Sequence, residues 1–404
     1  MQQNLKKRIL FVGEGVTLAH ITRPIVLAES LIGHNHEVLF ACSHSVKGYV
    51  AQAGYDVYEI PTITPDIFLN RLAKGQPLYT YDELASYVEA EIKMCKELLP
   101  DLIVGDFRIS LGITADYLRI PYVSLSNAHW SPYSTQPFPV PDLGIVKFLG
   151  VGLTKMLLPG VLPIIFRQHA RAFNSLRRSF GLEPVDGLKH LYTHGTWTMY
   201  ADIPSIAPTE YLPENHRYIG PIIWSPDIEL PSWWKEVPEG MPIIYVTMGS
   251  SGDISLLKSI LDAIRKTSCI GLVATAGRIN IAEAPNLFIS NYLPGIDVIK
   301  KASVVICSGG SATAYQALSL GVPVIGFPSN ADQFFTMESI QMNGAGLLIR
   351  SKDAFPDVIA RAITTVLNDR RYKISSDNLA AEISEYDAKK LFSEFVSNWA
   401  QQKC

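Results

Sequence analysis

The chain has 404 residues, enough for two or three domains with cores of their own, so no disulfide or metal staple is required to fold it. Its 35 basic and 38 acidic residues give a formal net charge of -3, which excludes a nucleic-acid binder that works by bulk phosphate neutralisation. With 48% hydrophobic and 18% charged residues it stands far from the disordered class.

In chain order, Arg8 to Gly13 reads as a buried parallel strand, followed by a helix from about His20 to Ile32 with apolar residues at helical spacing. Glu37 to Cys42 and Asp56 to Ile60 read as strands, with a short helix near Val46 to Ala53 between them. Asp101 to Gly105 is a strand, Ser110 to Leu118 a helix and Pro121 to Leu125 a strand. This alternation predicts a doubly wound parallel sheet. Eight of the 26 prolines fall within residues 204–242, which marks a linker. The pattern then restarts, with strands at Ile243 to Thr247, Ile270 to Ala274, Leu287 to Ser290, Ser303 to Cys307 and Val322 to Gly326. The expected architecture is α/β: a Rossmann-like domain over 1–203, a linker over 204–242, and a second Rossmann-like domain over 243–385. A terminal helix over 386–404 is free to pack back on the first domain.

Met156 to Phe166 is eleven residues without a charge. A spanning helix needs about 20, and Pro159 and Pro163 interrupt the run, so it reads as a buried or pocket-lining segment, with contact with a membrane surface, not insertion, as the alternative. The polar start, Gln2 to Arg8, carries no signal-peptide pattern. Cys42, Cys95, Cys269, Cys307 and Cys404 are odd in number and widely spaced, with no CxxC; the nine histidines form no HExxH pair. No resident metal or cofactor and a reducing cytoplasm are therefore expected.

The turn after the first strand, Gly13-Glu14-Gly15, half-matches a dinucleotide fingerprint. The third glycine is missing, and the second strand ends without an acid to hold a ribose, so an oxidoreductase is disfavoured. His20 and Asp106 both fall at the carboxyl edge of the first sheet, where ligands bind. A neutral imidazole there takes a proton from a hydroxyl, and a carboxylate beside it fixes its tautomer. Capping or satisfying the turn is the alternative use of His20, and Asp106 alone suits a helix cap. In the second half, the strand ending at Cys307 runs into Ser308-Gly309-Gly310-Ser311-Ala312-Thr313 and then a helix. A glycine turn opening a helix exposes backbone N–H groups suited to a diphosphate, with Ser308, Ser311 and Thr313 adding hydroxyls. Asp332 and Gln333 suit a hydroxyl-rich ligand.

Ser308 to Thr313, followed by Tyr315-Gln316-Ala317-Leu318, Gly321-Val322-Pro323, Pro328 and Asp332-Gln333, resembles the donor signature of the family 1 nucleotide-sugar glycosyltransferases. Arg217 to Pro221, Tyr245 to Ser250, Thr275-Ala276-Gly277 and Asn291 to Pro294 follow at matching positions. The resemblance implies a GT-B fold of two Rossmann-like domains facing across a cleft, and inverting, metal-independent transfer. The donor would be a UDP- or dTDP-linked sugar and the acceptor a small molecule. It gives His20 the role of base and Asp106 that of its partner. Ser250, Ser308, Gly309, Gly310, Ser311 and Thr313 would hold the diphosphate, Tyr292 and Gln316 the nucleoside, and Asp332 and Gln333 the sugar. His129, Trp130, Tyr133 and the apolar stretch Phe148 to Phe166 are the expected acceptor walls, with a place in the core as the alternative for Trp130 and Tyr133; the apolar character favours a lipophilic acceptor. Relatives usually carry histidine where Ser308 stands, glutamate where Gln316 stands, tryptophan where Tyr292 stands, and GHxxP where this chain has Ala19-His20 and Pro24. Two rivals share the architecture: a sugar-nucleotide 2-epimerase, and a degenerate binding or activator protein suggested by the missing phosphate histidine.

Overall fold

Strand β1 (Lys7–Gly13) is apolar on both faces, and its last five residues are buried, as a central parallel strand requires. The computed structural model describes residues 6–142, 144–279 and 284–402; Gln2 to Leu5 and Cys404 lie outside the described residues. β1 pairs with β2 (His36–Cys42) on one side and β4 (Leu102–Asp106) on the other. With β3 (Val57–Glu59), β5 (Tyr122–Ser126), β6 (Trp197–Tyr200) and β7 (His216–Tyr218) they form a seven-stranded sheet of order β3-β2-β1-β4-β5-β6-β7. Every pair in it is parallel.

A second sheet has six strands in the order β10-β9-β8-β11-β12-β13. They are β8 (Ile243–Thr247), β9 (Ile270–Ala274), β10 (Leu287–Ser290), β11 (Val304–Cys307), β12 (Val324–Gly326) and β13 (Gly346–Leu348), again all parallel. In each sheet the winding reverses beside the first strand of its half, between β1 and β4 and between β8 and β11. Ligands bind outside the carboxyl ends of strands at such reversals.

The chain divides into two compact units. The first runs to Gln136, resumes over Met156–Ile222 and takes the chain from Tyr386 onward; the second is Pro137–Lys155 with Ile223–Glu385. The proline-dense segment 204–242 is thus shared between the units. In the first unit, helix Ala388–Gln402 lies against helix Ala19–Glu29, with Phe392 beside Phe11 and Lys389 paired to Glu29 at 2.8 Å.

The stretch Met156 to Phe166 differs from its sequence reading. It belongs to a helix, Gly144–His169, that kinks at Gly150 and carries Pro159 and Pro163 inside it. Met156 is 71% and Ile164 65% exposed, and Leu157, Val161 and Ile165 are exposed too. Apolar composition alone does not say which side of a helix finds a partner.

Candidate active site

In the first unit, Gly13 pairs in register with Asp106, so the ends of β1 and β4 are neighbours. Helix Ala19–Glu29 starts immediately after the β1 turn. Pro24 has no N–H to give the His20 carbonyl four residues back. That carbonyl lies against Gly13, where a Cβ would come within 2.5 Å of it. Glycine at the end of β1 therefore lets the helix start close on the strand and sets His20 over Asp106.

His20 Nδ1 lies 2.8 Å from Asp106 Oδ1; the histidine side chain is 17% exposed and the carboxylate is sealed. Asp106 also accepts two bonds from Arg23, at 2.7 and 2.6 Å, and Arg23 reaches Asn127 at 3.0 Å. Burial opposes ionisation of Asp106, but Arg23 and His20 outweigh it and hold the carboxyl below its ordinary value. An ionised carboxylate only accepts, so Nδ1 carries the hydrogen toward it; in the neutral ring that arrangement leaves the lone pair on Nε2. Helix capping is not the use of Asp106: the helix that follows starts after Ser110.

The two turns are cross-tied beneath this pair. Arg108, fully enclosed, donates to Glu91 at 2.6 Å, to Glu14 at 3.0 Å and to the Pro61 carbonyl at 2.8 Å. Glu14 follows β1 and Arg108 follows β4, so one guanidinium joins the turns after the two strands that bring His20 and Asp106 together. Burial raises the Glu14 carboxyl, and Arg108 works against that rise. Between Asp106 and Arg108, Phe107 holds a left-handed backbone at φ 55°, a conformation that costs a non-glycine residue energy. It lays the Phe107 ring on the His20 imidazole, 4.6 Å between centroids and 11° from parallel.

Sequence reasoning missed Arg23, Phe107, Glu14 and Arg108. Only Arg23 left a signal, standing three residues after His20 on the same helix face. The residues expected as acceptor walls lie in different surroundings. His129 is 2% exposed, with its ring 5.7 Å from that of Trp130. Trp130 is half-buried, edge-on to Tyr192 at 5.2 Å, and Tyr192 stands 5.4 Å from Phe107. The rings thus run from Trp130 to the face of His20. Tyr133 packs on His216 instead. The side chain of Phe148 lies outside the described residues.

In the second unit, Thr247 and Cys307 are in register, which brings the turns after β8 and β11 together. Gly309 has φ 81° and faces Met337, and Gly310 precedes helix Ser311–Ser319. The helix starts three residues before its predicted position. Its first intrahelical bond is Ala314 N–H to the Gly310 carbonyl at 3.1 Å, so the amides of Ser311, Ala312 and Thr313 have no helical acceptor. Ser308 is 6% exposed, and its Cβ lies 2.8 Å from where a Cβ on Gly252 would stand. Ser250 is exposed on the β8 turn. Arg278 donates to the carbonyls of Gly249 and Gly252, at 3.3 and 3.1 Å, which brings a positive charge to that turn.

Tyr292 is exposed and its hydroxyl reaches the Ala276 carbonyl at 3.4 Å. The Gln316 amide donates to the Trp224 carbonyl. Asp332 and Gln333 open helix Ala331–Met342, capped by Asn330. They differ in surroundings. Asp332 is half-buried, whereas Gln333 is 1% exposed. The Gln333 amide oxygen accepts from Ser329 N–H and hydroxyl, both at 2.9 Å, and its nitrogen donates to Ser251 at 3.3 Å. Gln333 therefore ties the β8 turn to the β12 turn.

Two such all-parallel sheets, each reversing its winding beside its first strand, are the architecture of the GT-B glycosyltransferases. Spinosyn rhamnosyltransferase SpnG has the same fold, with a TM-score of 0.75 at 16% identity over 97% of this chain and 100% of that one. Structures of SpnG complexed with thymidine diphosphate and with spinosyn aglycone match at 0.73 and 0.72, each at 17% identity and covering 96% of this chain and 100% of that one. A family model described as "Erythromycin biosynthesis protein CIII-like, C-terminal domain" matches residues 268–389. Sequence makes the relation closer. A PGL/p-HBAD biosynthesis glycosyltransferase of Mycobacterium tuberculosis (strain ATCC 25177 / H37Ra) is 41% identical over 377 residues, covering 93% of this chain and 88% of that protein. A PGL/p-HBAD biosynthesis rhamnosyltransferase of Mycobacterium bovis (strain BCG / Pasteur 1173P2) is 40% identical, covering 93% and 84%. This chain belongs to their family and is a glycosyltransferase.

Proposed function

We propose that the protein is an inverting, metal-independent transferase working in the cytoplasm. It moves a sugar from a UDP- or dTDP-linked donor to a hydroxyl of a small lipophilic acceptor. The observation that carries this reading is the 2.8 Å contact of His20 Nδ1 with the buried Asp106 carboxylate. His20 Nε2 takes the acceptor proton as the acceptor oxygen bonds to the anomeric carbon. The bond from that carbon to the diphosphate oxygen breaks, and the diphosphate leaves with the electron pair. Attack opposite the leaving group inverts the configuration. Asp106 orients His20 and offsets the charge it gains, and Arg23 positions Asp106.

The departing diphosphate is met by the free amides at the start of helix Ser311–Ser319 and by the hydroxyls of Ser250, Ser308, Ser311 and Thr313. Arg278 adds the positive charge that serine at 308 does not supply. Tyr292 stacks on the base, Gln316 holds the ribose, and Asp332 takes sugar hydroxyls, with Gln333 holding the loops in place. The rings of Phe107, Tyr192 and Trp130 beside His20 support a lipophilic acceptor, and the thymidine diphosphate and aglycone complexes of SpnG support the ligand classes. The buried, unpaired thiols of Cys42, Cys95, Cys269 and Cys307 suit a reducing compartment.

The test is a panel of nucleotide sugars with phenolic and aliphatic alcohol acceptors, followed by nucleoside diphosphate release and by NMR of the product anomer. The expected result is acceptor-dependent release that chelator leaves unchanged and an anomer opposite to the donor's. Retention of configuration or abolition by chelator contradicts the reading.

A further inference from the structure

The chain is nearly neutral, but its charges are segregated. None of the 38 acidic residues falls between Asp142 and Glu183, while six of the 35 basic residues do. The same stretch holds the apolar helix described above. Among the described residues, Leu149–Ser179 is the one helical stretch long and apolar enough to cross a membrane, and the most apolar part of it is not buried.

Within the first unit, from Met156 onward, this helix has two sides. Leu158, Leu162 and Phe166, four residues apart, are half-buried, and Phe166 packs beside Gly187. Leu157, Val161 and Ile164 lie on the other side at helical spacing and are exposed, as is Met156. Past the apolar end, Arg167, Arg171 and Arg178 are exposed. The next turns bury Ala170, Phe173 and Leu176 in a core cluster, which anchors the helix to the fold. A helix held by one side, apolar on the other and followed by cations is the pattern of an element lying in a lipid interface rather than spanning it.

We propose that this exposed face docks the enzyme on an anionic lipid bilayer surface. Met156, Leu157, Val161 and Ile164 enter the headgroup region, and Arg167, Arg171 and Arg178 meet the lipid phosphates. Charge complementarity selects this occupant: 40 residues without an acid repel a basic partner and favour an anionic surface.

The test uses the purified full-length protein and sedimentation with vesicles of phosphatidylcholine alone or mixed with phosphatidylglycerol. Vesicle binding is read without turnover, so it is independent of the transfer chemistry. The expected result is binding to the mixed vesicles at 0.1 M salt, about tenfold or more weaker to phosphatidylcholine alone, and weakened by added salt. L157E/I164E and R167Q/R171Q/R178Q should each lower the partition about tenfold or more with circular dichroism unchanged. Folded wild-type protein that ignores anionic vesicles overturns the proposal. So does unchanged binding by L157E/I164E. A dimer that Ile164→Glu converts to monomer, with no vesicle binding, overturns it in favour of a second copy.

Discussion

Asp106 carries more of the site than its role as a histidine partner requires. It accepts from His20 and twice from Arg23 with no solvent exposure. Asp106→Asn keeps the shape but leaves Arg23 buried against a neutral amide. The expected cost is about 3 kcal/mol of stability, with turnover falling on the order of 10²- to 10⁴-fold as His20 loses its tautomer. Denaturant unfolding and single-turnover kinetics check the two effects separately. The acid response has a defined sign. Because the folded carboxyl lies below its ordinary value of 3.8, its contribution is complete above that pH and is lost as pH falls below it. A melting series below pH 5 should therefore show a steeper acid loss in wild type than in Asp106→Asn. At this scale the meeting of His20 and Asp106 was legible because a helix start and a strand end at the carboxyl edge of one parallel sheet are local patterns. Glu14 and Arg108 were not, since a charge reveals its partner only after two distant loops meet. Gln333 was legible as an amide near a strand edge, but its engagement with Ser329 and Ser251 depends on packing that no spacing encodes.

His20 and Asp106 stand at one sheet reversal and the Gly309 turn at the other, and glycine sets how closely the helices approach there. Gly309 is the clearest case: φ is 81°, and a Cβ would stand 2.4 Å from Met337. Gly309→Ala is expected to cost about 2–3 kcal/mol, from backbone strain and overpacking together, and to weaken nucleotide diphosphate binding by displacing the start of helix Ser311–Ser319. Calorimetry of nucleotide binding beside thermal unfolding measures both; an alanine variant with unchanged affinity and melting temperature contradicts the role given to the turn. The central strands were readable because their apolar runs are continuous. Strands β6, β7 and β13 were not, and length alone does not explain it, since β3 and β12 are as short as β7 and β13 and were readable. The helix Gly144–His169 was misjudged for a different reason: its composition is that of a core, and exposure is a property of its neighbours.

At the level of the whole chain, the residues of the two proposed tasks, proton transfer and donor binding, fall in different units. His20, Asp106 and the ring series lie in the first unit; the glycine turn, Arg278, Tyr292 and Asp332 lie in the second. The repeat of strand–helix alternation on either side of a proline-dense segment made two parallel sheets legible from sequence. The return of the terminal helix to the first unit was among the expectations, but the place of 137–155 in the second unit was not, because a contact partition has no local signature. This separation gives the most direct test of the account. In His20→Ala, acceptor-dependent transfer should fall at least about 10³-fold, while calorimetric affinity for the nucleoside diphosphate, which the proposal assigns to the second unit, stays within about twofold of wild type. Transfer retained at near wild-type rate would contradict the assignment of His20 as the base.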